Sequence, residues 1–374
     1  MAKAKKSKIK GLMSELTATL GGEDKSLITL DPTGMSIYDL YSGGGLPTGD
    51  FTEFVGNPGA GKTTIALQLL GNQAKRNPDA IIMIFDAERS LTNDRLESFG
   101  LNVGENTILV QRGITVERLF KRIDKLIEFK KDNKIQDAPV YVLWDSIAHT
   151  PSEKELEVED INSAIGVKAK IMDHYLRTYH EYFVDNNITM IAINQLRDKV
   201  AMGNMYAKTI NLKGLGDRTV PGGRAQYFAA FHFVLFEKSG DLTGSEFGFK
   251  GYKLQGEFIK NKSALPFEKF FLIVDYHNGV QEFWTKFIYL KEAKYVNIAG
   301  GWVTIKGYEA DGKMLKFRGA TAKEKYENDE EFKAIFDAYW LKLSKTIQQV
   351  IQNSGHDEPE EATETPAVKA PTAS

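Results

Sequence analysis

Gly56-Asn57-Pro58-Gly59-Ala60-Gly61-Lys62-Thr63 matches the pattern G-x-x-x-x-G-K-[ST], with Thr64 directly behind it. Glycines permit a tight turn with positive φ, in which backbone N–H groups converge on phosphate oxygens. A helix that starts there adds the positive end of its dipole, the lysine reaches the β and γ phosphates, and the threonine hydroxyl can ligate magnesium. The pattern has this meaning only between a strand and a helix. FTEFV supplies an apolar strand before it and IALQLLGNQAK an amphipathic helix after it. The expected chemistry is the binding of a nucleotide's phosphates.

Hydrolysis also needs carboxylates at the same place. Val140 to Asp145, VYVLWD, reads as a buried strand with Asp145 at its C-terminal end, where α/β sheets gather ligands. Strands often end in Asp to start a turn; beside a phosphate loop the same Asp becomes the expected partner of a magnesium-bound water. The strand Ile81 to Phe85 runs into Asp86-Ala87-Glu88. A parallel sheet brings Glu88 to the same edge, either to cap the next helix or to polarise an attacking water as general base. A third strand, Met190 to Ile193, ends in Asn194-Gln195, which puts Gln195 in reach of a γ phosphate and at the root of a long loop.

The elements that must hold these groups alternate along the chain. Between Phe51 and Ile193, apolar bursts (FTEFV, IIMIFD, TILVQ, VYVLWD, TMIAIN) are separated by amphipathic stretches such as VERLFKRIDKLIEF and IMDHYLRTYHEYF. That order is the sequence form of a parallel sheet with crossover helices. The period then lapses: Leu196 to Arg224 holds five glycines, six basic residues and two acids. It reads as a linker or, more in keeping with loops of this length inside a domain, as a functional lid or binding loop. AQYFAAFHFVLFEK, YKLQGEFIKNK and FEKFFLIVDY are expected as strands that complete the sheet by hairpins. The division expected is a basic helical arm over residues 1–30, a core over 31–278, a small α+β unit over 279–352 and a disordered acidic tail over 353–374. The small unit is expected to hold a hairpin in GGWVTIKGYEADGKMLKF and a final helix through FKAIFDAYWLKLSKTIQQVI. The arm's helix either lies on its own core or docks on a neighbouring subunit.

Composition removes other classes. The 374 residues include no Cys, which excludes disulfides, thiolate catalysis and Cys-ligated zinc or iron–sulfur sites, and fits a reducing compartment. The 6 His show no HExxH or similar ligand spacing. No apolar run reaches the roughly 18 residues of a membrane helix, and no signal-peptide block follows the basic N-terminus. A cytosolic protein without a membrane partner is expected, in a bacterial or infected-cell interior. The net charge of -2 gives no overall sign of a nucleic-acid partner. It is, however, a sum over a basic N-terminus, a basic loop after Gln195, an acidic stretch around Glu153–Asp160 and an acidic tail.

The ordered segments GGGLPTGDFTEFVGNPGAGKTT, FDAERSLTNDRLESFG, VLWDSIAHTPSEKE, INQLRDKV, VPGGRAQYF and KNKSALPF resemble the RecA-type strand-exchange recombinases, and within them the phage UvsX-like branch. The resemblance runs from about Asp31 to Ser263 and beyond. It implies a RecA-like P-loop ATPase core with a mostly parallel central sheet flanked by helices, assembled as a helical filament on single-stranded DNA, with ATP and Mg2+ at the subunit interface. It also implies pairing with homologous double-stranded DNA and, for a phage protein, a mediator and a single-strand-binding protein as partners in the host cytoplasm. Glu88 takes the part of catalytic base and Gln195 that of γ-phosphate sensor. Lys260 and Lys262 match the family's paired lysines, which reach ATP from the adjacent subunit; the plain alternative is a solvated strand terminus. Two cations either side of Asn261 at a strand end would share one face and act in trans as an arginine finger does. Where many RecA proteins carry Asp and Tyr contacts to the base, this chain has Thr92 and Arg95, and Arg95 is expected to stack by its guanidinium plane.

The segments after Asp145 and after Gln195 correspond to the family's two DNA loops. In the first, contact is expected from Gly166, Val167, Lys168 and Lys170. In the second, Arg197, Lys199, Lys208, Lys213, Arg218 and Arg224 would neutralise phosphates, while Val200, Met202, Met205 and Tyr206 offer surfaces between bases. Such contacts hold a strand without reading its sequence, as a recombinase requires. The expected rival is a RecA-fold ring helicase or loader, which shares Lys62, Asp145 and Glu88 but lacks the paired lysines and the VPGG-ended loop. The tail is expected to compete with DNA for the basic surface.

Overall fold

The computed structural model describes Thr19 and residues 28–157, 166–198, 214–242 and 247–353. Nine strands form the main sheet: β1 (Phe51–Gly56), β2 (Ile81–Asp86), β3 (Thr107–Val110), β4 (Val140–Asp145), β5 (Ile188–Gln195), β6 (His232–Leu242), β7 (Gly251–Asn261), β8 (Lys269–Asp275) and β9 (Gly279–Val280). Their spatial order is β9-β8-β7-β6-β1-β5-β4-β2-β3. The six from β6 to β3 pair in parallel, whereas β7, β8 and β9 are added by antiparallel pairing. This is the expected α/β core with a mostly parallel sheet.

The apolar runs are continuous because both faces of the sheet are covered. In β1, Phe54 joins one core with Ile65, Leu69 and Leu143, while its neighbour Val55 joins the other with Phe120, Trp144 and Phe183. Helix α1 (Lys62–Arg76) lines the first core; α2 (Val116–Asp132) and α3 (Val167–Asp185) line the second. Each begins where the sequence permits a start: Gly61 in the left-handed region for α1, the Thr115 side chain accepting from Arg118 N for α2, and left-handed Gly166 for α3.

Beyond β8 the first core continues without a break. The sheet's last strand, β9, comes just after the 278/279 division expected from composition. Helix α4 (Glu282–Glu292) then packs on β8, and its Phe283 stacks on Phe336 of the long helix α5 (Glu330–Asn353) at 5.1 Å. A three-stranded sheet of Val296–Ala299, Trp302–Ile305 and Phe317–Arg318 lies between these helices in sequence.

Two local expectations are corrected. AQYFAAFHFVLFEK is not one strand: Ala225–Ala229 is a short helix, and the strand starts at His232. Its first residues are alanine-rich and lack β-branching, which favours helix. The preceding turn is closed by buried Gln226, whose side-chain amide donates to Pro221 O at 2.6 Å. GGWVTIKGYEADGKMLKF holds parts of two hairpins. Gly300-Gly301 turns Val296–Ala299 into Trp302–Ile305, and Asp311-Gly312 turns a second pair, Glu309–Ala310 and Lys313–Met314. The arm, apart from Thr19 and residues 28–30, and the tail beyond Asn353 lie outside the described residues.

Candidate functional site

Register alone brings the chemistry to one sheet edge. Gly56 stands opposite Gln195, Asp145 opposite Ile193, and Asp86 opposite Asp145, all at the C-terminal ends of parallel strands. Pro58, Gly59, Ala60, Gly61, Lys62, Thr63 and Thr64 line a cleft of about 330 Å³ there, together with Glu88, Asp145, Ile193, Gln195, Tyr252 and Tyr276. Asn57 belongs to the same turn and accepts from Ala60 N through its carbonyl. Two glycines of the loop are demanded by geometry. A Cβ on Gly56 would collide with the Phe236 carbonyl, whereas Gly59 has a φ of 72° and open space where its Cβ would be, so its backbone is free to meet a ligand.

Lys62 is buried, and its Nζ donates to Gly56 O at 2.9 Å and Asn57 O at 2.8 Å. Burial pulls its ammonium below the usual lysine range, against the attraction of Asp145 and Glu88. Thr63 Oγ1 donates to Asp145 Oδ2 at 2.8 Å. The other oxygen, Asp145 Oδ1, is buried with no hydrogen-bond partner. Burial pushes this carboxyl up to about 7; the Thr63 hydroxyl opposes the shift, and neighbouring Glu88 and Asp86 add to it. A buried carboxylate oxygen without a donor, beside a hydroxyl, is a hard-oxygen set that fits a magnesium ion or its bound water. No group of three or more His, Asp or Glu among the described residues forms a cage of its own, so such an ion would depend on phosphate oxygens for its remaining ligands.

Glu88 is fixed from three directions. Ser146 Oγ donates to its Oε1 at 2.9 Å, Gln195 Nε2 donates at 3.1 Å, and His149 Nδ1 lies at 2.9 Å. Its turn is tied down as well: Asp86 accepts from Ser90 N, Leu91 N and Gln111 Nε2, and Ala87 N donates to Asp145 O at 2.6 Å. Ser146 and His149 were not singled out from sequence. The signal was present in VLWDSIAH, where a hydroxyl directly follows Asp145 and an imidazole stands three residues on.

Arg95 borders the same cleft. Its guanidinium lies over Phe99 at 4.7 Å and donates to His277 O and Thr64 Oγ1, so one face is already stacked within the chain. Thr92 caps the helix Asn93–Glu97 by accepting from Arg95 N.

Lys260 and Lys262 are not brought to this cleft. Lys260 Nζ donates to Tyr227 O at 2.8 Å and Phe228 O at 2.7 Å, and Lys262 Nζ lies over the Phe231 ring. Phe231 N in turn donates to Phe51 O, so both lysines stand at the entry end of β1 and the phosphate loop at its exit. Burial draws Lys260 down to about 8, with Lys262 adding and Asp50 opposing.

The chain has relatives among known proteins. The model of the RecA N-terminal domain matches residues 4–281. Protein RecA of Aquifex aeolicus is 30% identical over 259 residues, covering 69% of this chain and 68% of that protein. Protein RecA of Thermus thermophilus is 28% identical over 344 residues, 91% of this chain and 92% of the relative. The chain belongs to the RecA family. As a RecA-family protein it is a DNA-dependent ATPase and a recombinase that uses ATP for strand exchange.

The two segments expected to contact DNA are described only in part. Gly166 and Lys170 are exposed at the start of α3, with Val167 and Lys168 half-buried. Lys168 Nζ donates to Ile147 O, and burial lowers it to about 8, with Glu155 opposing and Arg197 adding. At the root of the second loop, Arg197–Asp198 pairs antiparallel with Arg218–Thr219. Arg197 and Arg224 are exposed, while Arg218 is held by Glu237 at 2.7 Å. Lys199, Val200, Met202, Met205, Tyr206, Lys208 and Lys213 lie outside the described residues. No helix among the described residues is long and apolar enough to cross a membrane.

Proposed function

We propose that this chain is a phage UvsX-like recombinase that polymerises as a helical filament on single-stranded DNA and pairs it with homologous duplex. The observation that carries the reading is the convergence, at one sheet edge, of the loop Gly56–Thr64, an Asp145 oxygen without a partner, and a Glu88 held by the Gln195 that roots a basic loop. ATP is the substrate bound there. Lys62 binds its β and γ phosphates, and Thr63 with Asp145 would hold Mg2+, Asp145 through a water. Bound there, a magnesium ion would supply charge neutralisation for the phosphates. Glu88 orients the attacking water and takes its proton. In this reading Gln195 exchanges its bond to Glu88 for one to the γ phosphate, which moves the side chain on which the loop begins.

In this reading Gly166, Val167, Lys168 and Lys170 form the first DNA contact. Arg197, Lys199, Met202, Tyr206, Lys208, Lys213, Arg218 and Arg224 form the second, and Lys260 with Lys262 act on ATP of the adjacent subunit. The division into arm, core, small unit and tail belongs to the same proposal, as do a mediator and a single-strand-binding protein as partners in the host cytoplasm. Thr92 and Arg95 stand in place of the base contacts of many RecA proteins, so base recognition differs here. A joint-molecule assay with single-stranded circles and homologous linear duplex tests the reading. Joint molecules are expected with ATP and Mg2+ and not without nucleotide; exchange that proceeds equally without nucleotide would overturn the gating.

A further inference from the structure

His149 has no part in the reading so far, yet its ring meets the same carboxylate. Ser146 Oγ, His149 Nδ1 and Glu88 Oε1 stand 2.9 Å from one another on all three sides. A triangle of that size needs hydrogens on two of its edges. Ser146 supplies one, which goes to Glu88. If Nδ1 were bare, its lone pair would face the carboxylate oxygen at hydrogen-bond distance with nothing between them. The arrangement is attractive only with the proton on Nδ1, in the Nδ1–H tautomer or in the cation.

The ring is held there by a built turn. His149 N donates to Ser146 O at 3.2 Å, Thr150 Oγ1 donates to Ser146 O at 2.9 Å, and Trp144 Nε1 donates to Thr150 Oγ1 at 2.8 Å. The side chain is 47% exposed. The charged groups packed round the pair are Asp145 and Lys62 beside Glu88, and Lys168 on the Ile147 carbonyl of the same turn.

We infer that His149 is a positioning residue for ATP hydrolysis: with Ser146 it anchors Glu88 Oε1, so that Gln195 can leave for the γ phosphate without freeing the carboxylate. This rests on the reading of Glu88 as the base. Of the three groups around Oε1, Gln195 is the one on the strand that roots the DNA loop, and it is the one expected to move. Once it goes, Ser146 and His149 still fix the oxygen they share, and Oε2 is left to face the water. A base that swings loses the alignment on which proton abstraction depends.

The test is DNA-stimulated ATP hydrolysis by the full chain carrying His149→Ala, His149→Asn or Glu88→Gln, with folding checked by circular dichroism. For His149→Ala, kcat is expected to fall about tenfold or more, with KM for ATP within about twofold. His149→Asn, whose amide N–H can take the Nδ1 position, should recover most of kcat. An unchanged kcat in His149→Ala, or an Asn variant no better than Ala, overturns the inference. If His149→Ala does not fold, His149→Leu replaces it against His149→Asn with the same criteria. Glu88→Gln separates the two layers: loss of hydrolysis there with normal His149 variants removes only the anchor, whereas parental hydrolysis by Glu88→Gln removes the reading of the base itself.

Discussion

Lys62 is a buried ammonium satisfied by two loop carbonyls. On the proposed reading it would exchange those partners for phosphate oxygens when ATP enters, at little further cost in desolvation. Lys62→Ala is expected to abolish ATP hydrolysis and joint-molecule formation together, by a factor of about 100 or more in phosphate release. A variant that still exchanges strands with ATP would show that the loop is not the nucleotide site that gates pairing. Asp145 was legible in the sequence, because a strand-terminal carboxylate beside such a loop has few other uses. Ser146 and His149 were not, because hydroxyls and imidazoles are common in turns and only the fold shows that this turn closes on Glu88.

At the scale of elements, the parallel core was legible because strands buried on both faces read as unbroken apolar runs between amphipathic helices. What escaped was the hydrophilic wiring inside it. Glu53, in the middle of β1, is fully buried, with Oε1 accepting from Asn194 Nδ2 at 3.0 Å and Oε2 without a partner. The same amide donates to Pro221 O at 2.9 Å, and Asn194 Oδ1 accepts from Gln195 N at 3.0 Å. One asparagine thus ties the strand feeding the phosphate loop to both roots of the long loop after Gln195. In FTEFVG a single Glu looks like a surface residue of an edge strand, since no periodicity marks a central strand that hides an acid.

Burial pushes Glu53 up to about 8, while the Asn194 amide opposes the shift. The folded state therefore keeps a proton that the unfolded chain releases near its ordinary value of 4.5. Between those values the folded chain binds more protons, so stability falls as pH rises, by up to about 1.4 kcal/mol per unit for this one group. The contribution is fully favourable below the unfolded value and exhausted above the folded one. Glu53→Gln keeps the shape and a neutral acceptor for Asn194. Urea titrations from pH 5 to 8 are expected to show a shallower decline in stability for Glu53→Gln than for the parent. Parallel slopes would mean that Glu53 is ionised inside the core.

For the whole molecule, the decisive fact is that the two halves of the proposed ATP machinery sit at opposite ends of the same strand. The phosphate loop leaves β1 at Gly56, whereas Lys260 and Lys262 crowd its entry at Phe51 with Asp50, a separation of about 17 Å for a strand of this length. No lysine side chain bridges that distance within one chain. A second copy can, if the entry end of one sheet faces the exit end of the next. Such a contact joins unlike surfaces, and unlike surfaces repeated by rotation and translation build rings or helices rather than closed dimers. Assembly and catalysis are then the same event, because each interface completes one site.

Mixing two inactive variants tests this without any image of the assembly. Lys62→Ala subunits keep their lysines but have a disabled loop; subunits with Lys260→Ala and Lys262→Ala keep the loop but lack its trans cations. Each alone is expected to hydrolyse ATP poorly on single-stranded DNA. In an equal, random mixture about a quarter of the interfaces pair an intact loop with intact lysines, and hydrolysis should rise well above the sum of the separate rates. No gain on mixing, or a double-lysine variant with parental activity, would return Lys260 and Lys262 to the solvated strand end and leave the site complete within one subunit.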